Sequence, residues 1–562
     1  MKKKYLKLSL LVVLGVFIGL LIYPLVSADN IYQQLEKYKY VFGNAIKEYV
    51  DEVDSSVLTE SAIKGMLNEL DPHSVYITAK EMEAVDEDMQ GSFEGIGVQF
   101  SMLNDTITVI APIKGGPSEK LGIISGDKIV EINGKKAIGI SQDTVPKLLK
   151  GAKGTIVRLG IYRYGEKELL YFDVVRDKIP LHTVDAYYMY DNSDIGVIQV
   201  NRFAQTTYQE LMNAVRELKN KNMKKLILDL RGNPGGYLNQ AFLMADEFLK
   251  GDTIVYTKAR REENNEVFTA RTGQELEDIP LIILINAGSA SASEIVSGAV
   301  QDMDRGLIVG TSSFGKGLVQ RQFKIPDGSA FRLTIARYYT ASGRCIQRPY
   351  KDKANYRNLV GRLELEEGLN LEHALDKIKK EEANKKQKSK KENKNNNDTT
   401  DKRIDLDSIE LFYTRSGRPV LGGGGITPDY IVKSDTVTML TVNIRRKNVY
   451  NEFINSEFKN KKHIKDKYNG DFEKFNKEFE ITDAMIKKLR QLAENKGVVW
   501  DEERAKIDEP YWKLSLKALI ARIIWDNNCE AKIISQIDRQ LKTATTLFPI
   551  AEKIRNQKVK SK

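Results

Sequence analysis

Serine hydroxyls, a lysine amine and a glutamine amide are gathered in one stretch of this chain, Pro280 to Gln320. Ser289, Ser291 and Ser293 alternate with alanines shortly after the apolar run Leu281–Ile285, Lys316 stands between two glycines, and Gln320 follows four positions later. The apolar run reads as a buried strand, and from Ala292 onward Ile295, Val296, Ala299 and Val300 have helical spacing. The serines therefore fall at a strand-to-helix turn. There, unpaired backbone N–H groups and the helix dipole favour a developing oxyanion. No histidine lies within the stretch, and His182 and His373 are far outside it. If a serine here is a nucleophile, Lys316 is the candidate base.

That chemistry needs a neutral amine. Lysine's unperturbed pKa is about 10.4, so burial has to lower it before the amine can accept a serine proton. Phe314, Gly315, Gly317, Leu318 and Val319 flank Lys316 with no acid nearby in sequence, which suits a desolvated amine. Gln320, at i+4, shares a face with Lys316 in either a helix or a strand. It could orient the amine by a hydrogen bond without adding charge. The loop Arg231-Gly232-Asn233-Pro234-Gly235-Gly236 follows the apolar segment Lys225–Leu230. Its glycines allow backbone N–H groups to approach a ligand, the geometry of an anion nest.

Blander readings exist for each feature. Gly-Lys-Gly is ordinarily a surface turn, and a Ser-Ala-Ser-Ala-Ser run is ordinarily a small-residue packing seam. Gly310-x4-Gly315-Lys316 approaches a phosphate-binding loop, but Gly317 lacks the hydroxyl that such a loop gives to Mg²⁺.

The elements around these residues alternate. Ile195–Val200, Leu226–Leu230, Ile282–Ile285 and Leu307–Val309 read as strands; Thr207–Asn220, Leu238–Leu249 and Ala292–Gln301 read as helices. This pattern predicts an α/β layered domain with parallel pairing, its chemistry carried on loops after the strands. Upstream, Ile31–Tyr49, Ser61–Leu70 and Glu81–Met89 read as helices, with Thr59 as an expected N-cap and Asp71-Pro72 as a stop. From Gly91 to Lys178, short β-type runs alternate with the turns Gly115-Gly116-Pro117, Gly126-Asp127 and Asn133-Gly134. Ser118–Gly122 and Thr144–Lys150 are the helices expected there. Beyond the core, Leu411–Val432 regains strand and turn signals, and Gly422–Gly425 predicts a tight turn or close backbone approach. Thr436 to the end reads as a helical, basic appendage.

At 562 residues the chain is too long for one core. Met1–Lys7 carries four lysines and Leu8–Val26 is almost wholly apolar, ending near Ser27-Ala28. That is the pattern of a signal peptide or an uncleaved anchor, and it predicts export. The net charge of +10 is concentrated in Lys377–Lys402, with ten lysines against five acids. Such a run reads as a solvated, disordered insertion and not as a nucleic-acid surface. Cys345 and Cys529 are too few for a disulfide framework, leaving one bridge or two free thiols open. The four histidines are scattered, with no metal-ligand spacing, so a metal site is not expected; no cofactor is expected either.

The segment GDKIVEINGKKAIG resembles a PDZ domain, in which a Gly-rich loop and the following strand receive a peptide's C-terminus. The matching positions are Gly95, Ile96, Gly97 and Val98, followed by Gln99 and Phe100. The order of PDZ segment, RGNPGG, SASASE, FGKGLVQ and GGGGITPDY resembles the C-terminal processing (tail-specific) proteases, S41-type serine peptidases. The resemblance covers roughly Leu35–Tyr350 and Leu411–Val432. It implies Ser291 as nucleophile, Lys316 as base, Gln320 as its partner, and the N–H groups of Gly236 and Ala292 as oxyanion donors.

The fold expected is an α+β multidomain chain. A ClpP/crotonase-like α/β protease core (179–350 and 404–433) would carry an inserted PDZ domain (91–178). Residues 1–28 would be a signal or anchor, 31–90 an N-terminal helical region, 351–403 the Lys/Asn-rich insertion and 434–562 a C-terminal helical region. The partners expected are protein substrates with free, apolar C-terminal tails; an adaptor or regulator, membrane anchorage and homo-oligomer formation stay open. The location expected is the periplasm or the outer face of the cytoplasmic membrane. The alternatives are a non-catalytic PDZ scaffold and a crotonase-like enzyme acting on acyl thioesters.

Overall fold

A computed structural model describes residues 31–350, 367–368, 410–457 and 461–557. Its centre is a six-stranded sheet in the order Val184–Met189, Ile195–Val200, Lys225–Asp229, Leu281–Ile285, Leu307–Gly310, Tyr430–Ile431. The first pair is antiparallel and every later pair is parallel. All five residues of Leu281–Ile285 are buried, as expected of a strand covered on both faces. Helices Thr207–Asn220, Leu238–Asp246 and Ala292–Asp302 bury one face, with Leu211, Val215, Met244, Val296 and Val300 in the contact. On the other face lie Leu541, Ala544, Leu547, Phe548, Ala551 and Ile554. The expected C-terminal appendage is therefore divided. Helices from Met439 to Ile534 build their own core around Phe453, Phe475, Trp512 and Leu516, whereas Arg539–Thr546 and Phe548–Arg555 complete the central layer.

A second sheet stands beside this layer. In it Ala330–Thr340 pairs with Leu318–Lys324, Thr253–Ala259 and Val75–Ile77, all antiparallel. The last pairing is the one that matters for the site, because Val75 faces Arg332 and draws the N-terminal segment onto the sheet.

The N-terminal helices run Ile31–Glu48, Ser55–Leu70 and Ala79–Gln90. The expected N-cap at Thr59 is corrected. Asp54 caps the second helix through Ser56 N–H, and Thr59 sits inside it with its hydroxyl bonded to Ser55 O. An Asp cap satisfies the end donors earlier in the chain than a threonine at 59 could. Thr78 and Glu81 form a capping box on the third helix.

Residues 92–180 form the inserted unit. Strands Ser92–Gly95 and Asp177–Pro180, which lead in and out of it, pair with each other. Its sheet runs Val98–Leu103, Thr106–Pro112, Lys128–Ile132, Ile156–Tyr162, Leu170–Val175, so Val98–Leu103 is an edge strand. Helices Pro117–Lys120 and Thr144–Leu149 complete it around Ile107, Val109, Ile129, Val145 and Leu159. The signal or anchor at 1–28 and the lysine-rich run Lys377–Lys402 lie outside the described residues. Among the described residues no helix is long and apolar enough to cross a membrane. Both cysteines are free thiols.

Candidate active site

The serine turn discriminates between its own members. Ser289 Oγ donates to Leu230 O at 2.8 Å and Ser293 Oγ to Asn233 O at 2.9 Å, and both residues are fully buried. These hydroxyls bind the RGNPGG loop to the helix start. Ser291 is half-buried and stands immediately before helix Ala292–Asp302 with φ 54° and ψ −111°. A non-glycine residue there is strained by about 1–3 kcal/mol, and such strain persists only where neighbours over-determine it.

Two residues supply that restraint. The Glu294 carboxylate accepts from Ser291 N–H at 2.8 Å, Lys316 N–H at 2.9 Å, Gly315 N–H at 2.6 Å and the Ser313 hydroxyl. It is completely buried, which pushes its pKa up to about 6 against the lowering effect of those donors. From the other side, the buried Tyr338 hydroxyl donates to Ser291 O at 3.2 Å and also to Lys316 O. The backbones of Ser291 and Lys316 are thus joined twice.

Lys316 is half-buried, and its Nζ donates to Gln320 Oε1 at 2.8 Å. Gln320 Nε2 in turn donates to His73 O. Desolvation lowers the Lys316 pKa, assisted by the Arg332 guanidinium and opposed by Glu294 and Asp71. Acids absent from the lysine's sequence neighbourhood therefore reach it through the fold, though both are engaged by other donors. Asp71 accepts from the N–H groups of His73 and Ser74 and from the Ser74 hydroxyl. Gly423 N–H donates to Cys345 O and Gly425 N–H to Ile346 O, which brings the glycine run against Ser313; a Cβ on Gly425 would lie 2.7 Å from Ser313 Oγ.

The Gly-rich loop abuts the serine turn. A Cβ on Gly235 would fall 2.8 Å from Ser291 Cβ and 2.9 Å from Ala292 N, and one on Gly236 would fall 2.0 Å from Phe203 O. The bridge between Phe203 and Gly236 uses Gly235 O and Tyr237 N–H. The Gly236 N–H is left outside that ladder. Ala292 is the first helical residue, whose N–H has no intrahelical acceptor.

Ser291, Ala292, Lys316, Gln320 and Gly236 thus converge. Gly95, Ile96, Gly97 and Val98 do not join them; they lie in the inserted unit, where Ile96 O accepts from Ser118 and Gly97 O from Ile113 N–H. Sequence reasoning missed Glu294, Tyr338, Arg332 and His73. The Ser-x-x-Glu spacing of a capping box could have indicated Glu294, and Asp71-Pro72-His73-Ser74 carries an Asx-turn signal. His73 packs edge-on to Phe314, with ring centroids 6.3 Å apart. Burial first, then the Lys316 and Arg348 charges, lower its pKa to about 4 against the raising effect of Asp71.

Residues 194–352 match the family model of peptidase family S41, and residues 95–174 match that of the PDZ domain. Residues 25–81 match the activating protease CtpB N-terminal domain, and residues 440–526 match a family of unknown function, DUF8443. The chain is 39% identical over 325 residues to the carboxy-terminal-processing protease of Bartonella bacilliformis, covering 57% of this chain and 74% of that protein. It is 36% identical over 324 residues to the carboxy-terminal processing protease CtpA of Bacillus subtilis, covering 57% and 68%. Among solved structures, the photosystem II D1 C-terminal processing protease is 26% identical over 54% of this chain and 88% of that one, with a TM-score of 0.31. With an S41 core, a PDZ domain and these relatives, the chain belongs to the carboxy-terminal processing proteases, serine-type peptidases of family S41.

Proposed function

We propose that the protein is a serine endopeptidase that captures the free C-terminus of a protein substrate in its PDZ domain and cuts the tail with a Ser291–Lys316 dyad. The observation that carries this reading is the desolvated Lys316, held by Gln320 and tied through Glu294 to the strained Ser291 turn. Neutral Lys316 accepts the Ser291 hydroxyl proton as Oγ bonds to the scissile carbonyl carbon. The Gly236 and Ala292 N–H groups hold the resulting oxyanion. Collapse breaks the C–N bond, and Lys316 returns its proton to the departing amine. Water then attacks the acyl ester, Lys316 takes its proton, and the Ser291 oxygen leaves and is reprotonated. Gln320 orients the amine throughout without fixing a charge on it.

In the PDZ domain, the N–H groups of Ile96, Gly97 and Val98, on the turn opened by Gly95, would receive the tail carboxylate, while apolar tail side chains enter the groove beside Val98–Leu103. The basic, then apolar segment Met1–Ala28 supports a place outside the cytoplasmic membrane. The test is incubation of wild type, Ser291→Ala and Lys316→Ala with a protein bearing an apolar C-terminal tail, read by intact mass. Wild type should remove the tail, and each variant should lose about 10³-fold or more in rate. Equal cleavage by Lys316→Ala would refute the dyad, and equal cleavage of an amidated tail would refute carboxylate capture.

A further inference from the structure

The C-terminal helical region reaches the PDZ strand that would receive the tail. Arg522, in the last turn of helix Glu502–Ile524, donates to Gln99 Oε1 at 2.7 Å, and Asn448 Nδ2 donates to Ser101 Oγ at 2.7 Å. The Asn448 amide is oriented for this. Its Oδ1 accepts from Asn451 Nδ2 at 2.7 Å, and its backbone has φ 55°, a conformation asparagine tolerates. Residues far apart in the helical region therefore converge on two positions, i and i+2, of one strand.

Those two positions share a face. Val98, Phe100 and Met102 pack against the PDZ core, so Gln99 and Ser101 point the other way. A register shift occurs in this hairpin, but the extra residue is Ile110 on the partner strand, and Val98–Leu103 keeps its alternation. A tail added to the free edge would be a cross-strand neighbour of this strand, with opposed side chains about 4.5–5.5 Å apart at Cβ. Its inward side chains would enter the apolar groove. Its outward side chains would lie beside Gln99 and Ser101, within reach of the residues that hold them. Arg522 has its second guanidinium nitrogen 3.6 Å from Glu530 and keeps about a third of its side chain, 32%, exposed. Arg446 and Lys447, both exposed, immediately precede Asn448.

We propose that the C-terminal helical region forms the outer wall of the tail groove, and that Arg522 with Asn448 selects tails bearing carboxylate side chains at the outward positions. The tail that fits alternates apolar inward residues with acidic outward ones. This rests on the tail-capture reading above and adds a specificity that the PDZ fold by itself does not supply. The partly exposed Arg522 guanidinium at the outward face of this strand, with Glu530 and Asp185 as its acidic neighbours, and the geometry of strand addition carry it together.

The test is fluorescence anisotropy with the full chain carrying Ser291→Ala, so that the probe survives. Two labelled peptides share the same apolar inward residues and free C-terminus, with Glu or Lys at the outward positions. At low salt the Glu peptide should bind about fivefold tighter, the scale of a partly exposed ion pair. Arg522→Gln should abolish the preference, Arg522→Glu should reverse it, and Arg522→Lys should retain most of it. Equal binding of both peptides to the unaltered groove, or a preference that persists in Arg522→Gln, overturns the inference. An amidated Glu peptide separates the two readings. If amidation abolishes binding while Glu and Lys peptides bind equally, tail capture stands and the outer-wall assignment falls. If amidation changes nothing, tail capture falls and takes this inference with it.

Discussion

Ser291 and Lys316 donate their backbone N–H groups to the same carboxylate oxygen, Oε2 of Glu294, at 2.8 and 2.9 Å. A single buried acid thereby sets the position of the candidate nucleophile relative to its candidate base, and Tyr338 repeats the link through the two carbonyls. Side-chain chemistry at this site depends on a backbone clamp.

The clamp can be tested one bond at a time. Tyr338→Phe removes one hydroxyl and keeps the buried ring, so it should cost about 1–2 kcal/mol of stability. It should also lower kcat about tenfold with KM little changed, because it misplaces reacting groups and leaves tail binding intact. Glu294→Ala strands four buried or half-buried donors and should destabilise by about 3–5 kcal/mol, read by denaturant unfolding. Full activity in both variants would show that the clamp does not position the dyad.

Arg332 should tune the base. Its charge favours neutral Lys316, so removing it raises the lysine's pKa. Activity, which needs the neutral amine, should rise with pH in wild type, and in Arg332→Gln the same rise should occur at higher pH. Arg332→Lys should restore the original profile. A profile that moves toward acid, or stays fixed in Arg332→Gln, contradicts the assignment. The measurement is kcat/KM for a tailed substrate across pH.

His73 should leave an acid signature in stability. Its folded pKa, about 4, lies below the ordinary value of 6.5. Between those values the unfolded chain binds a proton that the folded chain refuses, so stability increases with pH across the window. On acidification this contribution is lost progressively from about 6.5 and levels off once the folded state also protonates. Its size should be of order 1–3 kcal/mol. His73→Phe preserves an aromatic contact with Phe314 and should flatten that slope relative to wild type. Unfolding midpoints between pH 4 and 7 measure it; parallel curves for the two proteins would remove His73 from the account.

The glycines of the loop should differ sharply in tolerance. Gly235→Ala and Gly236→Ala combine positive φ with backbone or Cβ atoms 2.0 to 2.8 Å from the new methyl. Each should lose at least about 2 kcal/mol and most activity. Gly232, with φ +71° and open space around it, should tolerate alanine at a cost of about 1 kcal/mol. Thermal midpoints and tail-cleavage rates of the three variants make the comparison.

Much of the core was legible because its signals are local. The apolar run before the serines and the 3.6-residue pattern after them place Ser291 at a strand-to-helix turn. The strand Ile195–Val200 and the helix Thr207–Asn220 stand at the boundaries read from periodicity. The Thr59 cap failed because a threonine in a helix can bond back to its own turn, as this one does to Ser55 O. The C-terminal region was only half legible. Amphipathic spacing predicts helices there without saying what their apolar faces cover, and Leu541, Phe548 and Ile554 cover the central sheet.

By itself the sequence determined the residue types and the local geometry: a serine at a helix start, a lysine in an apolar setting, glycines where backbones must approach. Tertiary structure decided their electrostatics and company. His73 meets the site because Val75–Ile77 pairs with Ala330–Arg332, and Arg332 nears Lys316 because two strands lie side by side. Arg522 reaches Gln99 only because the helical region folds back over the PDZ edge. Periodicity is written in neighbouring residues, whereas proximity across hundreds of residues follows from which apolar surfaces and strand edges find one another.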